Sequence, residues 1–271
     1  MVAFDYSWIR QFEAKKSLGQ NFLIDPNHQR NIVQSMNYTC DDVIVEVGPG
    51  LGALTHLLIQ QDAQKVIVVE KDPRFCEHLE NVFGHVSNKL EIIQADALTV
   101  DWQKLIDKPY KLISNLPYNI STPIILNLIK SAHINEMVLM VQKEVAKRIV
   151  AKPDSKIYGR LSILPQWLYN CKDLFDVGSS SFRPQPRVKS SVVHLKRKDL
   201  NIPPDAFEKV EKFTQLIFHQ RRKMMKSILK SKIENPEIFL TDHGVDPTSR
   251  PESLAIETIV SLAHDYGVLK Q

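Results

Sequence analysis

The chain has little of what marks a specialised scaffold. Only three of its 271 residues are cysteine, Cys40, Cys76 and Cys171. They stand far apart, with no CxxC pair and no histidine at metal-ligand spacing. That excludes a disulfide framework and a thiolate metal site, and leaves three reduced, mostly buried thiols as the expectation. No metal is expected. No run approaches the roughly eighteen apolar residues that a membrane span needs. The opening Met1-Val2-Ala3-Phe4-Asp5-Tyr6 lacks the basic-then-apolar layout of a secretory signal, so a cytoplasmic protein is expected. An excess of one charge is also missing: 35 Lys and Arg stand against 31 Asp and Glu, a net +4. So small an excess identifies no partner.

What is present is ordinary in bulk, 43% hydrophobic and 24% charged, as in a globular protein with one large and one small domain. The placing of the cations says more. Lys15-Lys16, Lys143/Lys147/Arg148, Arg183/Arg187/Lys189, Lys196-Arg197-Lys198 and Arg221-Arg222-Lys223 are separate basic clusters. Each alone reads as a solvated face. Five together predict a phosphate-binding surface.

Apolar runs at 43–47, 66–69, 90–93, 110–113, 137–141 and 191–195 read as strands, with helical spacing between the first several. Ser121-Thr122-Pro123 reads as a helix start with a hydroxyl cap and proline near the first position. Strands alternating with helices predict a parallel, doubly wound α/β sheet. Past Asn201-Ile202-Pro203-Pro204 the pattern is helical, with stretches at about 207–217, 224–233 and 251–266. A domain boundary is expected near residue 200, giving a sheet domain over 1–200 and a helical, RNA-recognising domain over 201–271.

In such a sheet, ligands bind outside the carboxyl ends of the strands. Gly48-Pro49-Gly50-Leu51-Gly52 follows the first of these strands, Glu70 ends the second, and Asp96 lies just past the third. Glycines let a backbone approach a ligand closely. Glu70, 22 residues after Gly48, can accept hydrogen bonds from ribose hydroxyls, and Asp96 one from an adenine amine. The spacing G-x-G-x-G after Glu46 departs from the nicotinamide fingerprint G-x-G-x-x-G and is typical of S-adenosylmethionine methyltransferases. A sulfonium cation also suits an acidic rim.

Asn115-Leu116-Pro117-Tyr118, at the fourth strand's end, points to the reaction. An exocyclic adenine amine is a poor nucleophile because its lone pair is delocalised into the ring. Asn115 Oδ1 and a carbonyl at Leu116 or Pro117 could accept both amine protons and favour a pyramidal nitrogen. Pro117 stiffens that turn, and Tyr118 offers a ring to stack on the base. Phe182, in the Pro- and Arg-rich Phe182-Arg183-Pro184-Gln185-Pro186-Arg187-Val188, is expected on the base's other face. A duplex hides the amine, so the target is single-stranded or flipped out.

Taken in order, the motifs resemble the ribosomal RNA adenine dimethyltransferases of the KsgA type over nearly the whole chain. They include Gly19-Gln20-Asn21-Phe22-Leu23, the residues 46–55 and 115–124, and Gln142-Lys143-Glu144-Val145-Ala146. Further on come Tyr158-Gly159-Arg160-Leu161-Ser162, the stretch 182–190, Gln220-Arg221-Arg222-Lys223 and Asp246-Pro247-Thr248-Ser249-Arg250-Pro251-Glu252. The resemblance implies a Rossmann-like methyltransferase sheet with a small all-α domain. It also implies cofactor contacts from Asn21, Leu23, Gly48, Glu70, Asp96 and Asn115, with Gly50 completing the glycine turn. The implied substrate is two adjacent adenosines in a hairpin near the 3′ end of small-subunit rRNA, each methylated twice, late in subunit assembly. The enzyme is expected to act as a monomer. Leu18, Lys147 and Met224-Met225-Lys226-Ser227 depart from the family pattern. Two alternatives are an antibiotic-resistance methyltransferase acting on large-subunit RNA, and a non-catalytic RNA-binding assembly or transcription factor. The first usually has Ile where Leu116 stands, and the second would show decay of the glycine turn or of Asn115-Leu116-Pro117-Tyr118.

Overall fold

A computed structural model describes residues 4–12, 19–85 and 88–268. Lys15, Lys16 and Leu18 lie outside them. The elements in chain order are α1 (Trp8–Gln11), β1 (Phe22–Leu23), α2 (Pro26–Gln34), β2 (Val43–Val47), α3 (Thr55–Leu58), β3 (Lys65–Glu70), α4 (Pro73–Leu79) and β4 (Leu90–Gln94). They continue with β5 (Tyr110–Asn115), α5 (Ser121–Leu128), β6 (Ile134–Gln142), α6 (Lys143–Ile149), α7 (Arg160–Leu168), β7 (Tyr169–Val177), β8 (Phe182–Arg183) and β9 (Ser190–Arg197). The last helices are α8 (Ala206–His219), α9 (Met225–Leu229), α10 (Pro236–Asp242) and α11 (Ile256–Val268). Among the described residues no helix is long and apolar enough to cross a membrane.

The chain divides into two compact units. The first holds residues 4–146 and Cys171–Arg197, and the second Lys147–Asn170 and Lys198–Gln271. One crossing, at Arg197/Lys198, falls near the expected boundary at 200. The stretch Lys147–Asn170, read as part of the sheet domain, groups instead with the C-terminal helices. Its helix α7 packs on α8 and α11, which gives its buried Leu161, Ile163, Leu164 and Leu168 their cover.

In the first unit the main sheet has the order β4-β3-β2-β5-β6-β9-β7. All five residues of β2 are buried, as expected of a strand covered on both faces. Strands β2 to β6 are mutually parallel, and β9 runs antiparallel to β6 with Gln142 opposite Ser190. The sheet is therefore mixed, not wholly parallel. Chain order reverses between β2 and β5, so a crevice opens there at the carboxyl ends of both strands. Two helices start on acid-then-proline signals: Asp25 accepts from the backbone N–H of Asn27 and His28, and Asp72 from that of Arg74. Helix α5 begins otherwise than expected. Ile120 takes the cap position, because its N–H already closes a turn onto the Pro117 carbonyl at 3.2 Å. Ser121 is thereby buried as the first helical residue, and its hydroxyl donates to the Tyr118 carbonyl. Of the three free cysteines, Cys40 is exposed and the other two are half-buried, less hidden than expected.

Candidate active site

Four parallel strands deliver side chains to one cavity at the switch between β2 and β5. Asn21, Leu23, Gly48, Gly50, Glu70, Asp96 and Asn115 all line it, with Leu116, Pro117 and Tyr118. Gly48 has φ +65°, a torsion that L side chains rarely adopt, and the nearest atom to a Cβ there would be Pro117 Cδ at 3.9 Å. Any larger residue would project into open cavity between the glycine turn and the Asn115–Tyr118 turn.

Glu70 is buried and holds the turn from the far side. Its Oε2 accepts from the Gly50 N–H at 3.2 Å and its Oε1 from the Asp72 N–H at 2.8 Å. Burial pushes its carboxyl above the ordinary range, while these backbone donors pull it back. Asp96 is differently placed. Lys71 Nζ donates to its Oδ2 at 2.7 Å and the Leu98 N–H to its Oδ1 at 3.0 Å, and the lysine bond holds its carboxyl low. Asp96 is thus an acceptor shared with the exposed Lys71 cation, rather than a bare strand end.

Asn115 donates from Nδ2 to the Asn21 carbonyl at 3.3 Å. That bond fixes which way the amide points, and among the described residues no donor pairs with its Oδ1. The Leu116 N–H donates to Met140 O at 3.1 Å, which ties the tetrapeptide to β6. Pro117 O is taken up by the Ile120 N–H, so Leu116 O is the carbonyl better placed to accept a second amine proton. The half-buried Tyr118 shares a hydroxyl–hydroxyl hydrogen bond with Ser190, and burial pushes its phenol up.

Phe182 does not join this group. It is fully buried in the core cluster with Leu23, Ile32 and Val33. The cause is a strand pair that the local sequence does not reveal: β8 pairs with β1, placing Phe182 opposite Leu23. It offers no ring face to a base here, and the expected sandwich of two aromatics is reduced to Tyr118 alone.

Residues in and beside the cavity that the expected site did not include also shape it. Glu46 is buried and accepts from Thr55 Oγ1 at 2.6 Å, and burial raises its carboxyl to about 8. Its place one residue before the end of β2 was the available signal. Lys71 follows Glu70 directly. Gln20 and Arg74 both donate to Asp72, whose carboxyl the Arg74 guanidinium holds far below the usual range.

The basic candidates separate into two kinds. Lys147, Arg148, Arg183, Arg187, Lys189, Arg222 and Lys223 are exposed. Lys143 is instead ion-paired with Asp176. Arg221 is committed within the helical unit: it donates from Nε to Glu252 at 3.0 Å and from Nη1 to Lys156 O at 2.9 Å. Arg197 and Lys198 likewise donate to the carbonyls of Ser131 and Gln166.

The residues present fit S-adenosylmethionine. The glycine turn leaves a cradle that a Cβ at Gly48 would intrude upon, and two carboxylates at neighbouring strand ends match ribose hydroxyls, an adenine amine and a cationic sulfur.

The family model for ribosomal RNA adenine dimethylase matches residues 11–266. A protein of Sinorhizobium fredii named ribosomal RNA small subunit methyltransferase A is 40% identical over 256 residues, covering 93% of this chain and 86% of its own. Its namesake in Xanthobacter autotrophicus is 41% identical over 262 residues, covering 95% and 91%. Among solved structures, a dimethyladenosine transferase from Plasmodium falciparum shares the fold at TM-score 0.75, with 24% identity over 91% of this chain and 98% of that one. The 23S rRNA methyltransferase ErmE gives TM-score 0.68 and 25% identity, over 91% and 99%. With its glycine turn and Asn115–Tyr118 in one cavity and its length matched almost end to end, the chain belongs to the ribosomal RNA adenine dimethylase family.

Proposed function

We propose that this protein dimethylates the exocyclic amines of two adjacent adenosines in a hairpin near the 3′ end of small-subunit rRNA. It acts in the cytoplasm, as a monomer, on a late precursor of the small ribosomal subunit. The observation that carries the chemistry is Asn115: its amide nitrogen is spent on Asn21, so its oxygen faces the cavity as an acceptor.

Bound S-adenosylmethionine supplies an electrophilic methyl carbon on a cationic sulfur. The chain does the rest. Asn115 Oδ1 and Leu116 O accept the two amine protons and draw the nitrogen towards a pyramidal shape, its lone pair freed from the ring. Tyr118 stacks on the base and excludes water from one face. No strong base is required, because the amine nitrogen becomes acidic as it is methylated and its proton can leave to water. Positioning and fixed dipoles supply the rate. Glu70 and Gly50 hold the cofactor's ribose end of the cavity, with Asn21, Leu23, Gly48 and Asp96 around it. The exposed cations Lys147, Arg148, Arg183, Arg187, Lys189, Arg222 and Lys223 track phosphates.

Similarity at about 40% to small-subunit enzymes, against 25% to ErmE, favours small-subunit RNA over large. Labelled S-adenosylmethionine should place dimethyladenosine at two adjacent 3′-terminal positions of under-methylated small subunits, mapped by digestion and mass spectrometry. Asn115→Ala should lower the single-turnover rate by about a hundredfold or more, as losing a preorganised polar contact does, with the protein still folded. Label confined to large-subunit RNA, or to another base, would overturn the reading.

A further inference from the structure

Tyr118 is the ring that the proposed reaction sets against the target base, and a side chain on a turn keeps soft torsions about χ1 and χ2. Something must choose the plane of that ring. Its hydroxyl reaches out of the tetrapeptide to Ser190 Oγ, 72 residues further along the chain. Ser190 cannot drift. It is fully buried, sits opposite Gln142 in the β6–β9 ladder, and is flanked by the Lys143 N–H donating to Lys189 O at 2.9 Å. The next hydroxyl, on Ser191, is already engaged with Asp173 Oδ1 at 2.5 Å and Phe175 O at 3.1 Å. Two adjacent buried serines thus begin a strand whose next residues, Val192 and Val193, are apolar, and each serine has a separate task. Ser191 binds β9 to β7. Ser190 has the phenol of Tyr118.

We propose that Ser190 is a positioning residue for methyl transfer, tethering the Tyr118 hydroxyl so that the ring presents one plane to the adenine. The inference rests on the methyl-transfer reading above. Because Ser190 belongs to the sheet and Tyr118 to a turn, the serine is the fixed end and the ring the adjusted one. Asn115 Oδ1 and Leu116 O can then meet the amine only when the stacked base lies in the plane that Ser190 sets. Burial keeps the phenol protonated, so the tether persists across the neutral range.

The test uses the full chain with Ser190→Ala, Tyr118→Phe and the double variant, acting on under-methylated small subunits in single turnover. Each single variant removes the same hydrogen bond from one side, and each should slow transfer by about tenfold, the worth of one such bond. The double variant should be no slower than either single one. Cofactor affinity and melting temperature should stay near wild type. A 2-aminopurine at the target position should report altered stacking in all three. Should Ser190→Ala melt early, Tyr118→Phe carries the test, since it spares the buried strand. Wild-type rates in Tyr118→Phe, or losses that multiply in the double variant, would overturn the inference while wild-type methylation stands. Absence of adenine methylation by the wild type would remove the reaction and this inference together.

Discussion

Glu46 and Glu70 line the same cavity from neighbouring strands, and burial pushes the carboxyl of each above its ordinary range. Glu70 has backbone N–H donors on both oxygens, whereas Glu46 has one hydroxyl donor and is otherwise enclosed by the sheet. Burial therefore dominates at Glu46, and its carboxyl titrates near 8 instead of near 4.5. The folded protein then binds this proton more tightly than the unfolded chain does. Stability from it is complete below about pH 4.5 and falls as pH rises towards 8, at up to about 1.4 kcal/mol per pH unit. Glu46→Gln imitates the protonated acid. Urea titrations without cofactor should show this variant gaining on wild type between pH 5 and 8, with the gap closed at acid pH. A pH-independent difference would mean that Glu46 is already ionised when folded. At this scale the sequence was readable where chemistry repeats in a short motif, as at Gly48, Glu70 and Asn115. It marked Glu46 only as the residue ahead of the glycine turn and said nothing of its charge, because burial is a property of the sheet and not of the residue's neighbours.

The strands of the main sheet were readable as runs of buried β-branched and aliphatic residues, from β2 through β6 and again at β9. Strand β7 was not. Its Lys172, Asp173 and Asp176 break the apolar run, which an edge strand tolerates because one side and much of one face meet water. The two-residue strands β1 and β8 leave no periodicity to read, and their pairing sent Phe182 into the core where neighbouring prolines and arginines suggested a loop. Arg221 is the same lesson in the helical unit. In sequence it is one of three successive cations; in the fold it joins Glu252 and the Lys156 carbonyl, fastening the turn after α8 to the short 3-10 helix Pro251–Ser253 and to the loop at Lys156. Neutralising Arg222 and Lys223 should therefore flatten the salt dependence of RNA binding by about 0.7–0.9 per lost phosphate contact. Arg221→Ala should leave that slope nearly unchanged and lower the melting temperature instead. A slope change from Arg221→Ala equal to that of Arg222→Ala would show it to be a phosphate ligand after all.

For the whole molecule, the α/β class and the late helical region were readable because both follow hydrophobic period. The path between the two units was not, because nothing in the stretch 147–170 distinguishes a helix packed on the sheet from one packed on α8 and α11. That arrangement makes residue 200 a poor place to cut. A fragment ending there keeps α7 but loses both helices that cover it, and should bind hydrophobic dyes and aggregate. A fragment of 1–200 that stays monomeric and dye-silent would show α7 finding other cover. The same interruption bears on descent. A module that occupies one continuous stretch can pass between genes by a single recombination, but this helical unit is written in two stretches with β7, β8 and β9 between them. A crossover at 200 would deliver α8 to α11 without the helix that packs on α8 and α11. Exchange of the unit between relatives therefore needs two breakpoints or a matched partner for α7, and its sequence is expected to diverge together with 147–170 rather than with the strands in between.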